Sequence, residues 1–272
     1  MRGLGREAVE NLKSPLATKV ELHEEIGSTQ ERARELARDG APHGALVISK
    51  VQTGGRGRLG RRWRSPSGGL WVSLVLRPGI PARVAARTTQ TAAVGVAKAL
   101  RGFGVGARIK WPNDLLVGGR KICGILAESS VESVPVAAKE TSPEAERPVD
   151  FVVLGVGLNA NVDPEDLMVP AREVTTLRSE LGHDVDLVES LESLLSHLEV
   201  ELARIEDFGH ILEDWRVLNC TLGTRVRVCR FGELVEGTAL DLGPEGELLL
   251  KTSDGLLELF EGEVEQLRQD RT

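Results

Sequence analysis

The apolar segments of this chain are all short. Even the longest, such as residues 151–156, fall far below the roughly 20 residues that a membrane-spanning helix requires. Residues 1–20 lack the apolar core of a secretory signal peptide. A chain of 272 residues can bury a sizeable core, which short strands and amphipathic helices must supply. We therefore expect a cytoplasmic protein with no membrane partner.

The hydrophobic pattern divides the chain into two regions. In the first, the predicted strands are residues 20–25, 45–50, 70–76, 108–111, 114–117, 121–128 and 149–159. Helices are predicted over 81–100 and 186–205, with another between Ser28 and Gly40 and a shorter one ending at Trp215. Beyond residue 223 short strands alternate with turns, at 225–230, 234–242, 247–251 and 256–260. We predict an α/β domain over residues 1–220 and a small β-barrel over residues 221–272.

Local signals add detail to this outline. Ser28 followed by Glu31 fits a capping box at a helix start. Gly118-Gly119 predicts a tight hairpin turn. The dense Gly, Arg, Ser and Pro content of residues 52–69 predicts a long loop, and the acidic segment 139–148 predicts a mobile surface loop.

Composition excludes several classes of site. The three cysteines show no CxxC spacing, and none of the five histidines has a His or Cys partner at metal-ligand spacing. We expect reduced thiols and no metal held by protein side chains, so any metal arrives with a substrate. A net charge of −7 and 3% aromatic residues argue against a protein whose main task is nucleic-acid binding.

Residues 54–63 form a dense cluster of glycine and arginine. Glycine lets the backbone approach a ligand closely, and guanidinium groups can fork around phosphate or carboxylate oxygens. The alternatives are a solvated loop or a nucleic-acid-binding segment. Arginine outnumbers lysine by 26 to 8, so an arginine carries less information here than a lysine.

Two of the scarce lysines flank the predicted hairpin. Lys110 precedes Asp114, and Lys121 follows the turn, where a compact positive charge can be aimed at a reacting oxygen. The alternatives are a solvent-facing turn lysine for Lys121 and a turn-stabilising carboxylate for Asp114.

Two further segments admit a binding role beside a structural one. Ser28 and Thr29 suit helix capping, and a helix N-terminus also suits a polar ligand. Gly155 and Gly157 precede Asn159 at the end of a buried strand, where glycines often serve packing alone. No GxxxxGK[ST] phosphate loop is present.

Taken in order, Ser28-Thr29-Gln30 and residues 52–63, 110–126 and 155–159 resemble the signature blocks of biotin protein ligases. The string KWPNDLLVGGRKICGIL is the most specific, and the resemblance extends from about residue 20 to the C-terminus. It implies a catalytic core related to class II aminoacyl-tRNA synthetases, with a mixed, mostly antiparallel sheet and an SH3-like C-terminal barrel. It also implies that biotin and ATP with Mg²⁺ form biotinyl-5'-AMP, whose biotin passes to a lysine of a biotin carboxyl carrier protein. No tightly bound prosthetic group is implied.

The resemblance assigns roles residue by residue. Biotin would be bound by Ser28, Thr29, Gln30, Gln52, Gly55, Arg56, Gly57, Arg58, Lys121 and Gly124. ATP would be bound by Arg56, Arg58, Trp63, Lys110, Asn113, Asp114, Lys121 and Asn159. Lys121, Arg58 and Asp114 would be catalytic.

The chain departs from the family pattern in two places. Gln30 stands where the usual residue is asparagine, which leaves the hydrogen-bond geometry to the biotin ring open. About twenty residues precede the core, too few for the winged helix of bifunctional members, so we expect a monofunctional enzyme without DNA binding. The sequence does not decide whether the chain forms a weak homodimer. The rivals are a lipoate ligase or octanoyltransferase, which would lack the GRGRLGR and KWPND blocks, and a nucleic-acid-binding protein.

Overall fold

A seven-stranded mixed sheet forms the centre of the molecule, whose computed structural model describes residues 4–130, 147–230 and 232–267. Its strands are β1 Lys19–Ile26, β2 Ala45–Gln52, β3 Leu70–Leu76, β4 Arg108–Lys110, β5 Asp114–Val117, β6 Arg120–Ser129 and β7 Val152–Leu158. The order is β1-β2-β3-β7-β6-β5-β4, with β1 and β2 parallel and every other pair antiparallel. The predicted mixed, mostly antiparallel sheet is confirmed.

Helices cover both faces of this sheet. They are α1 Arg6–Glu10, α2 Thr29–Arg38, α3 Arg87–Gly102, α4 Leu177–Leu181, α5 Leu187–Leu202 and α6 Phe208–Leu218. Short 3-10 turns cover Pro15–Ala17, Arg58–Gly60, Ala82–Val84 and Pro164–Leu167. Helix α2 packs against β2, β3 and β7, whereas α3 packs against α5 and α6. All seven residues of β3 are buried, because apolar layers cover both of its faces.

The C-terminal region folds into a five-stranded antiparallel sheet. Its strands are β8 Arg225–Arg230, β9 Glu233–Leu242, β10 Leu248–Thr252, β11 Gly255–Leu259 and β12 Glu263–Gln266, in the order β11-β10-β9-β8-β12. Four of these strands were predicted. The fifth, β12, was missed because its sequence EVEQ contains one apolar residue and owes its strand conformation to pairing with β8.

Trp111 connects the two regions. Its side chain is 1% exposed, its Nε1 donates to the carbonyl of Gly246 at 3.1 Å, and its backbone N–H donates to Thr221 Oγ1 at 2.9 Å. Arg87 at the start of α3 pairs with Glu245 of the barrel at 2.8 Å. These contacts fix the barrel beside the end of the central sheet. The domain boundary at residue 220 stays a prediction.

The structure agrees with one local prediction and differs from others. Gly118 and Gly119 form the predicted hairpin turn, with φ angles of 56° and 80°. The predicted helix over 81–100 is interrupted, since a 3-10 turn over Ala82–Val84 precedes α3. Helix α4 was not predicted, and most of the loop predicted over 139–148 lies outside the described residues. Among the described residues, none of the helices combines the length and the hydrophobicity that a membrane-spanning helix needs.

Candidate active site

The four sequence blocks converge on one cavity of about 690 Å³. Strands β3, β6 and β7 form its floor, residues 56–64 form one wall, and the barrel residues 262–265 form part of another. The predicted site residues on its surface are Ser28, Thr29, Gln30, Gln52, Arg56, Gly57, Arg58, Trp63, Lys110, Asn113, Asp114, Lys121, Gly124 and Asn159. Gly55 does not line the cavity. It lies behind the wall, where a Cβ atom would stand 2.4 Å from the carbonyl oxygen of Trp63.

Ser28 precedes α2 but does not cap it. Its side chain makes no capping hydrogen bond, so the predicted capping box is wrong. The side chain of Gln52 in β2 caps the helix instead. Its Oε1 accepts hydrogen bonds from the Thr29 backbone N–H at 2.8 Å and from Thr29 Oγ1 at 3.1 Å. The Ser28 hydroxyl is buried without a hydrogen-bond partner in the described part of the chain. A buried orphan hydroxyl on a cavity wall is suited to a polar ligand atom.

The amide of Gln30 is held on both sides by protein groups. Its Nε2 donates to Glu128 Oε2 at 2.9 Å and to the carbonyl of Val153 at 3.1 Å. Its Oε1 accepts from Ser73 Oγ at 3.1 Å. This side chain therefore supports the floor of the cavity and keeps the Ser73 hydroxyl beside that of Thr29, which lies 2.9 Å away.

The sequence analysis did not predict one residue of this floor and left the role of another undecided. Ser73 was missed, although a single hydroxyl in the otherwise apolar strand LWVSLVL is a detectable signal. Gly155 was left open, and the structure supplies its reason, because a Cβ atom there would stand 2.5 Å from Gln30 Oε1. Glycine at this position makes room for the longer amide of Gln30.

Trp63 lies against the glycines of β6 and β7. A Cβ atom on Gly157 would be 2.5 Å from Trp63 Nε1, and one on Gly124 would be 3.0 Å from its Cζ3. Trp71 steadies the ring in an edge contact, with centroids 6.4 Å apart. Both Trp63 Nε1 and Asn159 Oδ1 are buried without partners among the residues described. This end of the cavity thus offers one donor and one acceptor beside a flat aromatic wall.

Two of the cationic side chains that line the cavity are Lys121 and Arg58. Lys121 Nζ lies 2.6 Å from Asp114 Oδ1 and 5.0 Å from the centroid of the Trp63 ring. Arg58 Nη1 donates to Asn113 Oδ1 at 3.1 Å and to the carbonyl of Gly262 at 3.5 Å. Burial lowers the pKa of Arg58, although the nearby Asp114 and Glu261 oppose that shift. A guanidinium stays charged even so, and its lost hydration favours an anionic ligand.

Charged contacts tie the Gly/Arg loop, residues 54–63, to its surroundings. Arg56 pairs with Glu31 of α2 at 3.4 Å, and Arg61 pairs with Glu263 of the barrel. Leu59 at the loop tip has a φ of 56°, a left-handed conformation that side chains other than glycine rarely adopt. The described residues contain no group of three His, Cys, Asp or Glu side chains placed to hold a metal ion. The loop thus brings arginine side chains to the cavity, and guanidinium groups suit an anionic ligand.

The polar floor, the cationic side chains and the aromatic wall define a small-molecule-binding protein with an appended β-barrel. Residues 23–138 match the Biotin/lipoate A/B protein ligase family, and residues 221–265 match the biotin protein ligase C terminal domain. Both matched segments contribute to the cavity.

Individual relatives narrow this class. The chain is 34% identical to the bifunctional ligase/repressor BirA of Bacillus subtilis, covering 89% of this chain and 72% of that protein. It is 33% identical to the biotin--[acetyl-CoA-carboxylase] ligase of Paracoccus denitrificans, covering 84% and 92%. The biotin protein ligase from Aquifex aeolicus in complex with biotin and ATP superimposes with a TM-score of 0.73 at 26% identity, covering 93% of this chain and 100% of that one. The chain belongs to the biotin protein ligase family, and its fold is accordingly that of the class II aminoacyl-tRNA synthetase-like core with a C-terminal β domain.

Proposed function

We propose that the chain is an ATP-dependent ligase that activates biotin as biotinyl-5'-AMP and transfers it to a lysine of a biotin carboxyl carrier domain. The observation that carries this function is that one cavity is lined by the cations Lys121 and Arg58, by the hydroxyls of Ser28, Thr29 and Ser73, and by the ring of Trp63. Its relatives are named biotin--[acetyl-CoA-carboxylase] ligases, and a structural neighbour binds both biotin and ATP. An acid and a nucleotide fit this arrangement.

In the first step, a biotin carboxylate oxygen bonds to the α-phosphorus of ATP while the bond from that phosphorus to pyrophosphate breaks. Two anions must approach each other, so Lys121 and Arg58 offset their repulsion and stabilise the charge that develops at phosphorus. We propose that ATP enters as its magnesium complex, since Mg²⁺ is commonly held by substrate phosphates and few protein ligands. Trp63, Lys110, Asn113 and Asn159 would surround the nucleotide.

Biotin's ring would occupy the floor beside Ser28, Thr29 and Gln52, with Gly57 and Gly124 close to its chain and Arg56 in the covering loop. Gln30, whose amide is fully engaged, would support this floor through Ser73. Gly55, to which the resemblance assigns biotin binding, lies outside the cavity lining, and we propose that it lets the loop backbone pass close to the carbonyl of Trp63.

Replacing Ser28 with alanine tests whether its hydroxyl binds biotin or caps α2. A capping serine normally contributes about 1 kcal/mol to stability, but Ser28 makes no capping bond, so Ser28→Ala should change the free energy of unfolding by less than about 0.5 kcal/mol. The same variant should weaken biotin binding about 10-fold, because one buried hydrogen bond to the ligand is lost. Urea denaturation and calorimetric titration measure the two quantities. A clear loss of stability with unchanged binding would restore the capping role.

The second step forms an amide bond between the carrier lysine and the acyl carbon, while the bond from that carbon to the phosphate oxygen breaks and AMP leaves. The amine must first lose a proton, which costs roughly 4 to 5 kcal/mol near pH 7 for a lysine of pKa about 10.4. Asp114 Oδ1 lies 2.6 Å from Lys121 Nζ. The acyl phosphate of the adenylate would bind beside Lys121, and therefore close to Asp114. We propose that Asp114 positions the amine and accepts its proton.

Asp114→Asn should therefore slow transfer to the carrier about 100-fold, within the usual range for a general base. Adenylation should fall less than about 10-fold, since Lys121 keeps its charge. Single-turnover transfer from preformed biotinyl-5'-AMP separates this step from pyrophosphate exchange. Equal losses in both reactions would assign Asp114 to orienting Lys121 alone.

The whole function is tested by biotin-dependent exchange of labelled pyrophosphate into ATP, with lipoate offered in parallel. Exchange with biotin and not with lipoate is the expected result. Exchange with lipoate alone would favour the lipoate ligase, and no exchange with either acid would favour a binding protein.

Other properties are also proposed. The demand for ATP supports a cytoplasmic site of action, and the net charge of −7 supports a protein without specific DNA binding. A specific DNA footprint would contradict the second of these. Self-association is expected to be weak, which sedimentation velocity measures.

A further inference from the structure

Asn113 and Asp114 are neighbours in the chain, and each contacts one of the two cations Arg58 and Lys121. Asp114 Oδ1 lies 2.6 Å from Lys121 Nζ, and Asn113 Oδ1 accepts a hydrogen bond from Arg58 Nη1 at 3.1 Å. The two contacts differ in charge. The carboxylate of Asp114 offsets the charge of the ammonium, whereas the neutral amide of Asn113 leaves the charge of the guanidinium uncompensated. Position 113 therefore suits a group that orients a cation without neutralising it.

The amide of Asn113 has a protein partner at each end. Its Nδ2 donates to the carbonyl of Ile125 at 2.7 Å, and the backbone N–H of Ile125 donates to the carbonyl of Asn113 at 3.0 Å. Because a carbonyl only accepts and a guanidinium only donates, these partners determine which end of the amide faces Arg58. Asn159 differs, since its Oδ1 is buried without a partner in the described part of the chain. Asn113 is thus used inside the protein, whereas Asn159 is available to a ligand.

The barrel supplies a second neutral oxygen to the same guanidinium. Arg58 Nη1 also donates to the carbonyl of Gly262 at 3.5 Å. Gly262 has a φ of 152°, and a Cβ atom there would stand 2.6 Å from Val228 Cγ1. Glycine therefore lets this segment pack against β8 with its carbonyl near Arg58. Burial lowers the pKa of Arg58, and the two oxygens replace part of the hydration that its guanidinium has lost.

We propose that Asn113 is a positioning residue that orients the Arg58 guanidinium toward the reacting carboxylate and phosphate while leaving its charge available to them. This inference rests on the proposed adenylation step and refines the place of Asn113 beside the nucleotide. A cation stabilises developing negative charge best when its orientation is set before the reaction. Asn113 then contributes through Arg58 and not through a contact of its own with ATP.

The test is a double-mutant cycle of Asn113→Ala and Arg58→Ala, measured as biotin-dependent pyrophosphate exchange at saturating biotin and ATP. Asn113→Ala should slow exchange about 10-fold in the otherwise wild-type protein, because a misplaced reactive group loses much of its effect. In the Arg58→Ala background the same change should slow exchange by less than about 2-fold. Equal losses in the two backgrounds would overturn the proposal and assign Asn113 to direct nucleotide binding. A loss below about 2-fold in the wild-type background would overturn it as well.

Asn113→Asp tests the need for a neutral oxygen. This variant keeps an oxygen that can accept from Arg58 and adds a negative charge, and like Asn113→Ala it loses the hydrogen bond to Ile125. Exchange should fall at least as far as in Asn113→Ala, since the carboxylate would neutralise the guanidinium. Wild-type exchange in Asn113→Asp would contradict the proposal. If Asn113→Ala does not fold, Asn113→Asp completes the same cycle with Arg58→Ala.

The matched control is Asn161→Ala. Asn161 Nδ2 donates to the carbonyl of Val185 at 2.8 Å and its Oδ1 accepts from the Val185 backbone N–H at 2.9 Å, but this side chain does not line the cavity. Its loss should leave exchange within about 2-fold of wild type, and urea denaturation confirms that each variant is folded. Absence of exchange in the wild type would overturn the proposed function itself. Wild-type exchange with equal losses in the two backgrounds would overturn only the role of Asn113.

Discussion

Lys121→Ala is expected to lower biotin-dependent pyrophosphate exchange by about 10²- to 10³-fold. Lys121 lines the cavity, and its ammonium lies 2.6 Å from Asp114 and 5.0 Å from the Trp63 ring centroid. A preorganised positive group aimed at developing negative charge commonly contributes an effect of this size. Removing it also leaves Asp114 as an uncompensated negative charge close to where two further anions must meet.

Lys50→Ala is the matched control for this prediction. Lys50 pairs with Glu24 at 2.8 Å on the neighbouring strands β1 and β2 and does not line the cavity. Its loss should leave exchange within about 2-fold of wild type, since a surface ion pair contributes about 0 to 1 kcal/mol. If Lys121→Ala kept more than about a tenth of the wild-type exchange rate, Arg58 and not Lys121 would supply the main catalytic charge.

Trp111→Ala is expected to reduce the free energy of unfolding by about 3 to 5 kcal/mol. The indole is almost fully buried where the central sheet meets the barrel, and its Nε1 satisfies the carbonyl of Gly246. Truncation would leave a cavity, and the carbonyl of Gly246 would keep only its longer hydrogen bond from Gln90 Nε2 at 3.4 Å. Because native domains are stable by only about 5 to 15 kcal/mol, urea denaturation should show a large shift.

Trp111→Phe separates the two causes. It retains an aromatic ring and loses the bond to Gly246, so a smaller loss of about 1 to 3 kcal/mol is expected. A loss in the alanine variant below about 1 kcal/mol would mean that the barrel is held mainly by other contacts, such as Arg87 with Glu245.

Gln30 illustrates how the structure resolves a departure from the family pattern. The longer amide spans from Ser73 to Glu128, and Gly155 leaves the space that it occupies. Its polar atoms are directed into the protein. The change from asparagine is thus accommodated by neighbours that lie 43 and 98 residues away along the chain.

Residue periodicity predicted most strands and helices, and the Gly118-Gly119 pair predicted the hairpin turn, because side chains alternate along a strand and glycine tolerates positive φ freely. The four blocks that line the cavity were identified by their resemblance to a family. The tertiary structure alone decided that Gln52, not Ser28, caps α2, and that EVEQ forms a strand against β8. It also decided that Gly157 makes room for Trp63. Each of these outcomes depends on partners distant in the chain, whose approach is set by the packing of the whole core and is not encoded in any short segment.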